Sequence, residues 1–292
     1  MNAPPLVTTL DAATKVAVAA VVAAGRVIGA GLTDPQTIRT KDAGRDVVTA
    51  LDLRAERIIL EHIAQAFPHH RVLAEESGWH DGDEAWCWIV DPLDGTNNIA
   101  IGLPVCTVGI ALCHNSVPVL AIVHEPVADR TWLARRDHGL TGPYGRVVPA
   151  PRAIGSPTQV LAWLQGYQVT RTDRTARALR LTLESGSRRL IQLWSPLLCW
   201  VMLSRGDIDG FVGYRSGAVD RLAGTLLARE SGIQVTDFHG APLDDRLDPR
   251  TTEVNFIAAV PERWHELSVL VKSAAAVTVC GLDHQPIEPA SS

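Results

Sequence analysis

The chain has 292 residues and a mass of 31.5 kDa, of which 46% are hydrophobic and 20% charged. That composition supplies one large globular domain, or two lobes sharing a core, and excludes disorder throughout. Twenty-seven Lys and Arg against 32 Asp and Glu give a net charge of -5, so with no long run of like charge an electrostatic grip on nucleic acid is not expected.

The longest apolar run, residues 16–24 between Lys15 and Arg26, falls far short of the roughly 20 residues of a membrane span. No membrane-spanning helix is expected. Asp11 and a single basic residue precede that run, which does not fit a signal peptide, and a cytoplasmic protein is expected. A helix is predicted over 11–31, capped by Asp11 and ended by Gly29, Ala30 and Gly31. Gly25, Gly29 and Gly31 are read as that helix end and not as a dinucleotide fingerprint, since no strand precedes them. Over 37–49 two short β-like runs flank the turn signal Asp42-Ala43-Gly44. Helical spacing of Leu51, Ala55, Ile58, Ile59, Ile63 and Ala66 then continues to Phe67-Pro68. His69-His70 reads as a solvated polar loop. Strand-like runs at 71–74, 86–90, 105–113, 117–125 and 130–134 predict a mainly antiparallel sheet, with Trp86 and Trp88 alternating about Cys87. After a Gly/Pro-rich stretch over 139–157, helical patterns at 173–184, 196–204, 219–231 and 261–273 alternate with short strands. Two lobes, about 8–145 and 146–275, with a cleft between them are expected, followed by a tail over 276–292 that lacks a periodic apolar face and should fray. Five cysteines, an odd number without a CxxC, imply core thiols and neither a disulfide framework nor a zinc knuckle.

The chemistry concentrates in Ile89-Val90-Asp91-Pro92-Leu93-Asp94-Gly95-Thr96-Asn97-Asn98. A buried-looking strand runs into two carboxylates, whose convergence Pro92 would favour by fixing the backbone. Gly95 lets the chain approach a ligand closely, and the free N–H groups of a helical turn starting at Thr96 suit a phosphate. An Asp-Pro turn with a helix cap would account for the dipeptide alone, but not for the whole string. Upstream, Leu73-Ala74-Glu75-Glu76 again delivers carboxylates from a strand. Three or four anions in one pocket would cost on the order of several kcal/mol per ion without compensation. A divalent cation resolves the conflict, and oxygen-only ligands point to magnesium or manganese and away from zinc.

The strings LAEESG (73–78) and WIVDPLDGTNN (88–98), followed by Gly102-Leu103-Pro104 and preceded by Asp46-Val47-Val48-Thr49-Ala50-Leu51-Asp52, resemble the inositol monophosphatase family of magnesium-dependent, lithium-sensitive phosphatases. The resemblance runs over about residues 10–270. It implies an α/β (α+β) fold of the layered αβαβα sugar-phosphatase type, with a mainly antiparallel N-terminal sheet lobe and a C-terminal α/β lobe. By position, Glu75, Asp91 and the Leu93 carbonyl resemble the ligands of a first Mg²⁺, and Asp91, Asp94 and Asp220 those of a second. A third, weaker ion would also involve Glu75, and Mn²⁺ could substitute. Asp52 and Thr96 resemble the dyad that orients the attacking water, and the Gly95 and Thr96 amides the phosphate cradle. The resemblance also implies a homodimer acting on a small phosphomonoester, with neither nucleic acid nor membrane as partner.

The third motif departs from the family pattern. It reads Ala218-Val219-Asp220-Arg221-Leu222-Ala223-Gly224, keeping the aspartate and losing the usual tryptophan. Gly213 stands where inositol-specific members carry a glutamate that contacts a ring hydroxyl, and Trp194-Ser195 replaces a small pair. The expected substrate is therefore a polyol, sugar or aminocyclitol phosphate, and myo-inositol phosphate is not the first choice. Trp194 is expected to wall the pocket, while Arg215 and Arg221, flanking Asp220, would recognise a further anionic or polar group. Two rival readings are a nucleotide 3'-phosphatase with Trp194 stacked on the base, and a non-catalytic regulatory protein retaining the fold.

Overall fold

A computed structural model of the chain describes residues 6–32, 39–41, 46–149, 159–217, 219–248 and 253–277. Helix α1 (Leu6–Gly31) buries Ala13, Ala17, Ala20, Val21, Ala24 and Ile28, a stripe at three- and four-residue spacing that makes one face of a helix apolar. It begins ahead of Asp11, so Asp11 is not its cap; the carboxylate instead pairs with Arg135 at 2.6 Å. Gly25 also lies inside the helix, where a Cβ would meet the His124 ring at 2.4 Å. Over Val7–Gly31 the helix is long and apolar enough by length and composition to cross a membrane, a test that the core helix of a folded protein passes as well. Its buried stripe packs against α2 (Ala50–Ala66) and the first sheet.

Strands β1 (Arg39–Lys41) and β2 (Asp46–Val48) pair antiparallel, as the turn signal predicted, and lead into α2. The first sheet is built from β3 (His70–Ala74), β4 (Gly78–His80), β5 (Asp83–Asp94), β6 (Thr107–His114), β7 (Val117–Glu125), β8 (Arg130–Arg135), β9 (Gly139–Gly142) and β10 (Gly145–Val147). Its order is β10-β9-β8-β7-β6-β5-β3-β4, antiparallel except between β3 and β5. Strands β9 and β10 lie within the Gly/Pro-rich stretch over 139–157. Trp86 and Trp88 face the core under α1 and α2 while Cys87 faces the opposite one, as the period of two requires. His70 is not solvated: its ring stacks on Phe67 at 4.7 Å and on Trp86 at 5.4 Å, and Trp88 Nε1 donates to its Nδ1 at 3.1 Å.

The second sheet holds β11 (Val160–Gln165), β12 (Arg189–Ile191), β13 (Gly210–Ser216), β14 (Gln234–Thr236) and β15 (Val254–Ala259) in the order β12-β11-β13-β15-β14. β12, β11 and β13 run parallel, and β15 is antiparallel to both its neighbours. Helices α4 (Arg174–Ser185) and α7 (Pro261–Ser273) cover its outer face around Leu161, Trp163, Val212 and Ile257. Helices α5 (Pro196–Arg205) and α6 (Val219–Glu230) lie between the two sheets, packing Leu197, Trp200, Leu222 and Leu226 against Ile89, Ala111, Val123, Phe211 and Phe256. The layers read α1α2, first sheet, α5α6, second sheet, α4α7, which is the αβαβα arrangement expected. Cys87, Cys106, Cys113 and Cys199 are free and buried. A 3₁₀ turn at Ala274–Ala276 follows α7, and residues 278–292, with Cys280, lie outside the described residues.

Candidate active site

Strand β5 is buried from Cys87 to its end. Its ladder with β6 pairs Asp91 with Gly109 but Asp94 with Thr107, three residues against two. That extra residue is a bulge, which re-aims side chains at a strand end. Both carboxylates are buried there, and the Leu93 amide donates to Asp91 Oδ1 at 3.1 Å. Gly95 follows with φ +114°, and a Cβ on it would lie 2.7 Å from the Val105 carbonyl oxygen, so only glycine turns the chain here. The turn opens α3 (Thr96–Ala100), with the Gly95 carbonyl accepting from the Asn98 and Ile99 amides.

Helix α2 brings the next carboxylate. Thr49 caps it, and Asp52 closes a capping box, its Oδ2 accepting from the Thr49 amide at 2.9 Å and the Thr49 hydroxyl at 2.5 Å. Asp52 Oδ1 receives the Thr96 hydroxyl at 2.6 Å, joining groups 44 residues apart. Burial pushes the Asp52 carboxyl above its ordinary value, and the bonds from Thr49 and Thr96 pull it back in part. One turn further along α2, buried Glu56 accepts the Glu76 amide at 2.8 Å, fixing the turn after β3. In that turn the Glu75 amide donates to the Val90 carbonyl at 3.0 Å, continuing past the last pair of the ladder, Ala74–Val90, and the Glu75 side chain is exposed.

Asp94 is held from β6 and from the start of α5. Its Oδ2 accepts the Thr107 hydroxyl at 2.9 Å, the Ser195 hydroxyl at 2.8 Å and the Leu197 amide at 2.8 Å. These three donors are neutral, so they orient the carboxylate without cancelling its charge. The acids at this strand end and in the turn carrying Glu75 are oxygen donors only, with no His or Cys among them, which is the chemistry of Mg²⁺ or Mn²⁺ ligands. Among the described residues no three of His, Cys, Asp and Glu meet closely enough to hold an ion on their own. Asp220 lies in the first turn of α6, and its side chain is outside the described residues.

Beside this strand end opens a cleft of about 820 Å³ lined by Asn97, Tyr167, Gln192, Trp194, Arg215 and Glu253, among others. Trp194 and Tyr167 are 48% and 50% exposed, so two aromatic faces meet solvent there. Arg215 reaches the cleft through a register shift between Gly213 and Ser216 and takes φ +53°. Its amide donates to Asn255 Oδ1 at 2.8 Å and its Nε to Glu253 Oε2 at 2.6 Å.

Two expected substrate contacts are corrected. Gly213 is buried in β13, and a Cβ on it would strike the Phe256 ring at 2.1 Å, so its side-chain direction is the core and not the cleft. Arg221 is 2% exposed, with its Nη1 donating to the Asp244 carbonyl at 2.8 Å. Burial lowers its pKa, and it anchors α6 to the segment around Asp244 without reaching a ligand. Sequence reasoning did not single out Thr49, Glu56, Thr107, Tyr167 or Ser195 as site residues. A signal existed for Glu56, which continues the buried Asp52, Ala55, Ile59, Ile63 face of α2 as an acid on an apolar stripe.

A family model for the inositol monophosphatase family matches residues 9–277. The chain is 32% identical over 203 residues to a fructose-1,6-bisphosphatase/inositol-1-monophosphatase of Thermotoga maritima, covering 70% of this chain and 76% of that one. It is 32% identical over 231 residues to the Nus factor SuhB of Vibrio cholerae, covering 77% and 85%. Among solved structures, the extragenic suppressor protein suhB of Bartonella henselae superposes with a TM-score of 0.80 at 28% identity, covering 89% of this chain and 98% of that one. An IMPase of Thermotoga maritima gives 0.76 at 26% identity, with 89% and 96% covered.

Proposed function

The chain belongs to the inositol monophosphatase family, and from that premise we propose that it hydrolyses the phosphomonoester of a small polyol, sugar or aminocyclitol. Asp91, Asp94, the Leu93 carbonyl, Glu75 and Asp220 would hold two or three Mg²⁺ ions, or Mn²⁺. When bound, such ions lower the pKa of water and neutralise charge on phosphate.

The chain's own residues supply the rest. The Thr96 hydroxyl gives its hydrogen to Asp52, which turns its lone pairs outward to accept a hydrogen from water and so fix the direction of attack. Thr49 keeps Asp52 in the acceptor role by filling its second oxygen. The Gly95 and Thr96 amides, at the start of α3, offer donors to phosphate oxygens. Trp194 and Arg215 would contact the alcohol portion at the mouth of the cleft. The observation that carries this reading is the 2.6 Å Thr96–Asp52 contact beside the buried Asp91–Asp94 pair. Lithium inhibition, a homodimer and a cytoplasmic location go with it.

A phosphate-release screen over sugar, polyol, aminocyclitol, inositol and nucleotide phosphates with added Mg²⁺ tests it. Turnover should depend on the cation, and Asp91→Asn or Asp94→Asn should lower it by several orders of magnitude, since each removes charge from the ion site; activity within tenfold of wild type refutes the assignment. A preference for nucleotide 3'-phosphates would select the reading in which exposed Trp194 stacks on a base. Absence of turnover on every class would select a regulatory role, favoured by the likeness to proteins named as SuhB Nus factors.

A further inference from the structure

Arg215 has a backbone that few residues with a side chain adopt, φ +53° within the register shift of β13. Such a conformation persists only where its surroundings over-determine it, and it collects at ligand sites. Three neighbours fix it here. The Arg215 amide donates to Asn255 Oδ1 at 2.8 Å and its Nε to Glu253 Oε2 at 2.6 Å. Gly166 leaves room for the Arg215 carbonyl, whose oxygen would lie 2.0 Å from a Cβ at that position. The guanidinium is thereby held at the cleft wall before any ligand arrives, with 42% of the side chain exposed. Among the described residues its Nη atoms make no hydrogen bond.

Charge decides what the pair can take. Glu253 compensates the cation at contact distance, so a second anion brought to the guanidinium would also meet a carboxylate. What remains on offer is N–H donors beside a carboxylate acceptor, with no net charge. A hydroxyl both donates and accepts, so adjacent hydroxyls of a ring satisfy both partners, and bonds to charged groups are the stronger kind. The same cleft presents the exposed faces of Trp194 and Tyr167, which suit the C–H surface of a ring. It also takes in Asn97, next in the chain to Thr96, whose Nδ2 donates to the Tyr167 hydroxyl at 3.4 Å. We propose that the Arg215–Glu253 pair is the specificity-determining element of the cleft, selecting the uncharged, hydroxylated ring of a sugar or cyclitol monophosphate and discriminating against a second anionic group. The inference rests on the proposed function and narrows its substrate class.

The test is phosphate release by the full-length protein with Mg²⁺ from glucose, galactose and mannose 1-phosphates, from cyclohexyl phosphate, which has a ring without hydroxyls, and from glucose 1,6-bisphosphate. Wild type is compared with Arg215→Gly, which removes the guanidinium and suits the left-handed backbone, and with Glu253→Gln. Changes in the ratio of kcat/KM between two esters, taken from wild type to variant, cancel the intrinsic reactivity of the esters. The preference for the best hexose 1-phosphate over cyclohexyl phosphate should fall about 10- to 100-fold in Arg215→Gly, with the loss in KM. Glu253→Gln leaves the cation uncompensated and should shift preference from glucose 1-phosphate toward the bisphosphate about tenfold; it carries the test if Arg215→Gly does not fold. Wild-type ratios in either folded variant overturn the role of the pair while cation-dependent turnover leaves the proposed function intact. A wild type that prefers the bisphosphate, or that acts only on nucleotide or acyclic phosphates, overturns it in the same way. Absence of turnover on every ester overturns both.

Discussion

The Thr96 hydroxyl has one hydrogen and two acceptors within reach, and the 2.6 Å approach to Asp52 Oδ1 against 3.0 Å to the Leu93 carbonyl assigns that hydrogen to the carboxylate. Thr96→Ala and Asp52→Asn should each lower kcat by about 10²–10⁴ with little change in KM, and the double variant should be no worse than either single, because the pair acts as a unit. Steady-state kinetics on the preferred substrate decide this, and a fully additive double variant would separate the two roles. A second residue-scale expectation concerns stability. His124 is buried against Gly25, and burial lowers its pKa below 6.5, with Asp129 and Glu125 opposing. The unfolded chain therefore binds more protons than the native one as pH falls through 6.5, so this histidine contributes stability above that pH which is lost on acidification. Tm measured from pH 7.5 to 5.5 should fall in wild type and fall less steeply in His124→Gln; parallel curves would remove His124 from the account.

At the scale of elements, the helices and central strands were legible because their apolar periods are long and clean, as in α2, α4, α5 and β7. The short strands β4, β9 and β10 were not, since three or four residues hold too little of a period to show one. The acids at the end of β5 were legible as an unusual string, and their joint burial follows from the strand before them. Arg221 and Gly213 were not, because closeness to Asp220 along the chain says nothing about which face of a strand or helix a residue occupies. Arg215 is brought to the cleft by the slip between Gly213 and Ser216, whereas Gly213, paired in register ahead of that slip, points at Phe256, and Arg221 faces inward from α6. It follows that installing the glutamate of inositol-specific relatives will fail by position. Gly213→Glu should destabilise the fold by about 1–3 kcal/mol or more through overpacking against Phe256 and a buried charge, read from urea unfolding, without raising turnover of myo-inositol phosphate. A stable Gly213→Glu protein with such a gain would show that β13 presents this position to the cleft after all.

For the molecule as a whole, the layers decide what a bound cation would do. The β5 end and the turn carrying Glu75 belong to the first sheet, whereas Asp220 begins α6 in the layer between the sheets, and Asp94 is gripped by α5 from that same layer. An ion held by these groups would bind only the assembled layers, since the unfolded chain scatters its ligands over three distant segments. Linkage then gives about 2.7 kcal/mol of added stability at 100 times the dissociation constant. For a chain of this size that corresponds to a rise in Tm of roughly 5–10 °C. Mg²⁺ or Mn²⁺ should therefore raise Tm in a concentration-dependent way that excess EDTA reverses. Asp91→Asn should abolish the shift, while Asp220→Asn should leave a smaller one because the first-sheet ligands remain. A thermal scan at saturating Mg²⁺ and Mn²⁺ that shows no shift, or an equal shift in Asp91→Asn, would mean that the buried acids at the end of β5 do not hold the ion, and the catalytic reading would then lose its chemistry while the fold stood unchanged.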